Sequence, residues 1–215
     1  MTAEIPFAIL IAGAVLVGLY LANQFLDYGT PQYLSRKAGH GVGGMGYLIC
    51  AYVFSTAWWP IILSSGFTIL LATARLLKGP TAFRGVARAT TPAEIWFPLS
   101  STIVLIVGWG IFNQPIASVG CILMMAWGDL VTGICRSKIY GKAVKGLWGS
   151  LAMFLTCLII SWCFIHPFWV GGLVAIGATV AEWTCGDVSR IKWLRPIDDN
   201  LAIPIVAMGI VLAFT

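Results

Sequence analysis

The sequence predicts an all-α, multi-pass membrane protein, a single transmembrane domain over residues 1–215 with about eight helices and short loops. Three features point there. The chain is 59% hydrophobic and only 10% charged, against roughly a quarter charged in ordinary soluble domains, and its mean hydropathy is +0.91. The apolar residues fall into runs of spanning length, roughly 20 residues each. All thirteen Lys and Arg lie in four short stretches: Arg36 and Lys37; Arg75, Lys78, Arg84 and Arg88; Arg136, Lys138, Lys142 and Lys145; Arg190, Lys192 and Arg195. The gaps near 58–60, 113–115 and 166–167 hold none. Short basic loops beside spans mark the cytoplasmic side, so alternate loops face the same way.

The run 5–25 has the length of one span. It lacks a basic leader and a small-residue cleavage site, so it is expected as a retained helix rather than a signal peptide. Runs 41–58 and 60–77 read as a helical hairpin broken at Pro60, because one helix of that length would exceed the bilayer. Runs 95–112 and 115–135 come next. Runs 146–165 and 167–184 form a second hairpin, broken at His166 and Pro167, and 201–214 is the last span. Eight crossings put every basic loop on one side and both termini on the other. The six cysteines lie in or beside apolar runs without a C-x-x-C pair, so they read as packing residues rather than a zinc site or disulfide framework. No basic module stands outside the spans, which excludes nucleic acid as a partner. Membrane lipids are the expected surroundings, and homo-oligomer formation is left open.

Seven of the eight acidic residues also fall on or near the basic side: Asp27, Glu94, Asp129, Glu182, Asp187, Asp198 and Asp199, with Glu4 the exception. Orientation signalling gives carboxylates little role, so mixed charge at one face suggests a polar site. Arg36, Lys37 and His40 share one face of a helix, where two cations beside a histidine can hold phosphate oxygens. The glycines after them either admit backbone to an anion or let helices pack closely. Asp129 follows Gly128 inside an apolar run. A carboxylate there costs several kcal/mol unless paired, metal-bound or wetted, which makes it a candidate catalytic group or divalent-cation ligand. Arg136, Lys138, Lys142 and Lys145, with Gly141, Gly149 and Ser150 among them, make a cation-rich, glycine-punctuated segment able to wrap a polyphosphate. No P-loop motif is present. Glu182 with Asp187, and Asp198, Asp199 and Asn200 at the entrance to the last span, suit Mg²⁺, which takes a few protein oxygens plus substrate phosphates; an N-cap role is the ordinary alternative for Asp199 or Asn200.

In this order the pieces resemble the polyprenol kinase family, which includes dolichol and phytol kinases. Arg36, Lys37 and His40 look like its R-K-x-x-H element, and Gly128-Asp129 with Gly141 like its G-D-x-x-A…G segment. Residues 145–152, KGLWGSLA, are similar to K-T-x-E-G-S-x-A, and 199–204, DNLAIP, to D-N-x-x-x-P. The likeness spans roughly residues 33–205. Gly146, Trp148 and Thr132 depart from it, standing where the family has Thr, Glu and Ala.

The resemblance implies phosphoryl transfer, typically from CTP with ATP as the other donor, to a membrane isoprenoid alcohol or its monophosphate. It also implies a set of roles. Asp129, Lys37 and His40 are catalytic; Arg36, Arg136, Lys138, Gly141, Lys142, Lys145, Gly149, Ser150 and Asn200 bind nucleotide and phosphate; Asp129, Asp199 and Glu182 hold Mg²⁺. The competing readings are a CTP-using lipid cytidylyltransferase and a small transporter with Asp129 as coupling carboxylate. A CDP-alcohol phosphotransferase is disfavoured because its D-G-x-x-A-R pattern is missing.

Overall fold

The computed structural model describes residues 2–88, 91–141, 144–186, 189 and 191–215. Among these there are helices and connections but no strand. Helices α1 (Ile5–Asp27), α2 (Gln32–Val53) and α3 (Trp58–Lys78) come first. Helix α4 (Ala93–Val104) continues into a π-helical stretch, Leu105–Ile111. Helix α5 (Pro115–Leu123) runs through a second π-helical stretch, Met124–Gly128, into α6 (Asp129–Tyr140), making one continuous rod. Helices α7 (Leu147–Phe164), α8 (Phe168–Thr184) and α9 (Asp199–Phe214) complete the order.

Local chemistry sets several ends. Pro115 opens α5, where its missing N–H leaves no bond unmade. Gly141 closes α6 in the left-handed region, at φ 63°. The Asp198 carboxylate accepts the Asn200 N–H at the start of α9.

The apolar runs all become helices, but eight spans are not what length and hydropathy support. Among the described residues, five helical stretches are long and apolar enough to cross a bilayer: Ile5–Asp27, Trp58–Thr81, Ala93–Ile111, Pro115–Tyr140 and Leu147–Phe164. Phe168–Thr184 and Asp199–Phe214 are apolar but shorter. Helix α2 begins at Gln32 rather than near 41, so Arg36, Lys37 and His40 lie within it. The first hairpin breaks at 54–57, with Pro60 already in the first turn of α3.

The Pro115–Tyr140 rod is the centre of the bundle. Its apolar window is 72% buried, against 22% for α1, and every residue from 119 to 126 is buried. Outer helices turn large apolar side chains outward, including Ile9, Ile69 and Ile159, as lipid-facing surfaces require. The basic segments collect at one end of the bundle. There Arg84 pairs with Asp27 at 2.9 Å, and the Gly85 N–H donates to Asn23 at 2.7 Å. At the other end Glu4 accepts hydrogen bonds from Ser55, and Phe214 meets Trp169 edge-on.

Candidate functional site

Helix α2 brings Tyr33, Arg36, Lys37 and His40 onto one face, three or four residues apart. That face meets the rod where the π-helical stretch ends. An extra residue in the turn shifts the phase of the next helical turns, and Asp129, immediately after it, pairs directly with the Lys37 ammonium. His40 Nδ1 lies 3.7 Å from the same carboxylate, too far for a hydrogen bond. Neither His40 nitrogen has a hydrogen-bond partner, although the residue is buried. Lys37 also sits 5.6 Å from the Tyr33 ring centroid.

Glycines make this approach feasible. A Cβ at Gly44 of α2 would stand 2.7 Å from Ala126 Cβ, and one at Gly133 would stand 3.0 Å from Lys37 Cγ. The Lys37 stem therefore crosses α6 over a position with no side chain.

A second set of charges joins α6, α8, α9 and the segment before α7. One Arg136 Nη lies 2.9 Å and 3.0 Å from the two Glu182 oxygens. Lys145 Nζ lies 2.6 Å from Glu182 Oε1 and 3.4 Å from Asp199 Oδ2, and it also donates to the Glu182 carbonyl. Burial works against the Lys145 charge, but the Asp199 and Glu182 carboxylates outweigh it and hold the ammonium above its usual range. The two sets are joined through α6, which carries Asp129 and Arg136 two turns apart on one side.

Arg36 completes the site differently. It is 5% exposed, its Nε has no hydrogen-bond partner, and it makes no ion pair among the described residues. A buried guanidinium in that condition is set up to receive an anion.

Of the residues singled out in the sequence, Arg36, Lys37, His40, Asp129, Arg136, Lys145, Glu182, Asp199 and Asn200 are brought together and buried. Lys142 and Asp187 lie outside the described residues. Lys138 points away, exposed on α6 rather than in a loop. Gly141 is the terminator of α6, its N–H donating to the Ser137 carbonyl. Gly149 gives room to the Arg136 side chain, which lies against the position its Cβ would take. Ser150 Oγ, beside it, is buried without a partner. Glu182 pairs with both a buried Arg and a buried Lys. Tyr33 joins the site although the sequence alone gives it no role there; helical spacing from Lys37 points to it. Asp198 lies beside Asp199 and Asn200 at the start of α9, as the acidic cluster in the sequence suggests.

Asp198 Oδ2 and Asn200 Oδ1 are buried oxygens with no hydrogen-bond partner, on either side of Asp199. Unsatisfied oxygens beside a carboxylate fit a hard cation. Among the described residues no three His, Cys, Asp or Glu side chains converge as a complete metal site, so an ion there would draw further ligands from phosphate and water, as Mg²⁺ does.

Asp198 also predicts a pH response. Burial, with the Asp199 charge, pushes its carboxyl from 3.8 up to about 7. Between those values the folded group keeps a proton that the unfolded group has released, so stability falls as pH rises from about 4 to 7 and levels above. Thermal unfolding of metal-free protein should show this decline, and Asp198→Asn should flatten it. Lys138→Ala, in contrast, should change turnover less than twofold, because its ammonium contacts none of the site.

Fold and site together define an all-helical membrane protein with a buried, cation-rich cluster at one end of the bundle. In sequence the chain is similar to a soybean (Glycine max) protein described as probable phytol kinase 3, chloroplastic, at 23% identity over 199 residues. The match covers 82% of this chain and 61% of the relative, so the chain spans about three fifths of that protein's length. This supports a distant relationship to phytol kinases. No family model matches the sequence, and no solved structure matches the fold.

Proposed function

We propose that the protein is a CTP-dependent kinase, with ATP as the other donor, that phosphorylates a membrane isoprenoid alcohol or prenyl monophosphate at the cytoplasmic face, with both termini on the opposite side. The observation that carries this is Arg36, a buried guanidinium without an ion pair among the described residues, beside Lys37, Asp129 and a hydrogen-bond-free His40. The soybean relative supports the reaction class.

Phosphoryl transfer needs positioning and charge neutralisation more than covalent work from the protein. Arg36 and Lys37 hold the transferring group, and Lys145 and Arg136 hold the rest of the polyphosphate. The acceptor oxygen bonds to the γ-phosphorus, the bridging bond to the β-phosphate breaks, and CDP leaves. Asp129 takes the hydroxyl proton, with His40 orienting the acceptor. Asp199, with the free oxygens of Asp198 and Asn200, would hold Mg²⁺, whose contribution is to neutralise phosphate charge. Glu182 keeps Arg136 and Lys145 in place.

The test is incubation of purified protein with γ-labelled CTP or ATP, Mg²⁺ and a panel of prenols and prenyl phosphates. Label in a prenyl product with release of CDP or ADP is expected. Label in no lipid, or a CDP-lipid with pyrophosphate, would overturn the kinase reading.

A further inference from the structure

A cavity, partly open at its rim, lies between α1, α2, α3 and α4. Its walls are almost wholly apolar, with Leu63, Phe67, Leu71 and Phe97 among them. The polar groups it does contain are largely consumed within the protein. Tyr47 and Ser64 share a 2.6 Å hydrogen bond, and Ser64 also reaches the Pro98 carbonyl at 2.8 Å. Glu94 is held by Arg75 at 2.5 Å. His40 is the exception. It lines the cavity, it is buried, neither of its nitrogens has a partner, and its other neighbour is the Asp129 carboxylate at 3.7 Å.

The occupant that satisfies these walls has a long uncharged body and one hydrogen-bonding end. We infer that the cavity holds the tail of the isoprenoid acceptor, threaded between α1–α4 with its hydroxyl at His40. This rests on the kinase reading and adds to it where the lipid lies and how much of it is read. The length comes from α2, whose residues His40 and Cys50 both line the cavity. Ten residues at 1.5 Å rise give about 15 Å. A peptide residue of three backbone bonds spans about 3.3–3.6 Å, so a chain advances about 1.2 Å per bond and an isoprene unit of four bonds about 5 Å. The cavity therefore holds about three isoprene units next to the hydroxyl, and anything longer passes into the bilayer.

The depth of the slot comes from α2 as well. Gly39, Gly43 and Gly46 line it, and a Cβ at Gly43 would stand 2.5 Å from the Phe97 ring. A side chain at Gly43 would close the slot against α4, and side chains at Gly39 and Gly46 would meet Val86 and, on α1, Val15.

The test is photolabelling of the full chain in lipid nanodiscs with a farnesol analogue bearing a diazirine at its far end, followed by mass spectrometry of the peptides. Label is expected on α2 and α3 around Cys50, Leu63 and Phe67, displaced by excess farnesol but not by hexadecanol or phospholipid. Label elsewhere, or equal displacement by the straight-chain alcohol, would overturn the assignment in favour of a general lipid groove. Cys50→Trp fills the far end and should lower kcat/KM for geranylgeraniol at least tenfold relative to geraniol; an unchanged ratio also overturns it. Should that variant not fold, the labelling map decides alone. Wild-type protein that labels in the cavity yet transfers no phosphate would sink the kinase reading and leave the prenol site standing.

Discussion

On the proposed kinase reading, Asp129→Asn should lower phosphoryl transfer from CTP to a prenol by about 10²–10⁴-fold, the usual contribution of a positioned general base. The substitution preserves shape and removes two things. An amide does not take up the acceptor's proton, and it leaves the Lys37 ammonium, 3% exposed, without its carboxylate. The second loss bears on stability, because removing one partner of a buried pair costs about 3–5 kcal/mol. Chemistry and folding separate in a double-mutant cycle. Lys37→Met together with Asp129→Asn removes both charges, so the pair should regain much of the thermal stability of wild type and stay inactive. Single-variant activity within tenfold of wild type, in initial rates with γ-labelled CTP, would remove Asp129 from the catalytic role.

The likeness of Asp129 and Glu182 in sequence explains much of what is and is not legible there. Both are carboxylates near the end of an apolar run, and both read as candidate ligands. What separates them is which cations arrive. Lys37 reaches Asp129 from α2, while Arg136 reaches Glu182 across 46 residues of chain. Spacing along one helix is readable, so Arg36, Lys37 and His40 fall on one face in both sequence and structure. That this helix is continuous with the apolar run from 41 is not, since a hydropathy profile rejects a segment with two cations unless their partners are known. The glycines are legible as close approaches but not as to what approaches. Gly133 and Gly149 accommodate the side chains of Lys37 and Arg136, which read locally as features of a loop or a packing seam. The π-helical turn before Asp129 leaves no trace in composition, because the apolar residues 124–127 suit an α-helix equally well.

Glu182→Ala should be the most destabilising single change in the site. Glu182 is fully buried, and its carboxylate faces Arg136 at 2.9 Å and Lys145 at 2.6 Å. Truncation leaves two buried cations facing each other with, among the described residues, only Asp199 in reach of one of them, at 3.4 Å. The loss of a buried partner is worth about 3–5 kcal/mol. In a chain of this size 1 kcal/mol moves Tm by roughly 2–4 °C, so Tm should fall on the order of 10 °C. Mg²⁺ should not restore it, whereas a second change, Arg136→Met, should recover part of the loss by removing one of the stranded charges. A metal-ligand role predicts the reverse pattern: a small change in Tm for the metal-free protein, with the stabilisation normally gained on adding Mg²⁺ abolished. Thermal unfolding of the two variants with and without Mg²⁺ separates the cases. The first pattern makes Glu182 the anchor that holds Arg136 and Lys145 at the polyphosphate site, leaving Asp199 and its neighbours free for the cation.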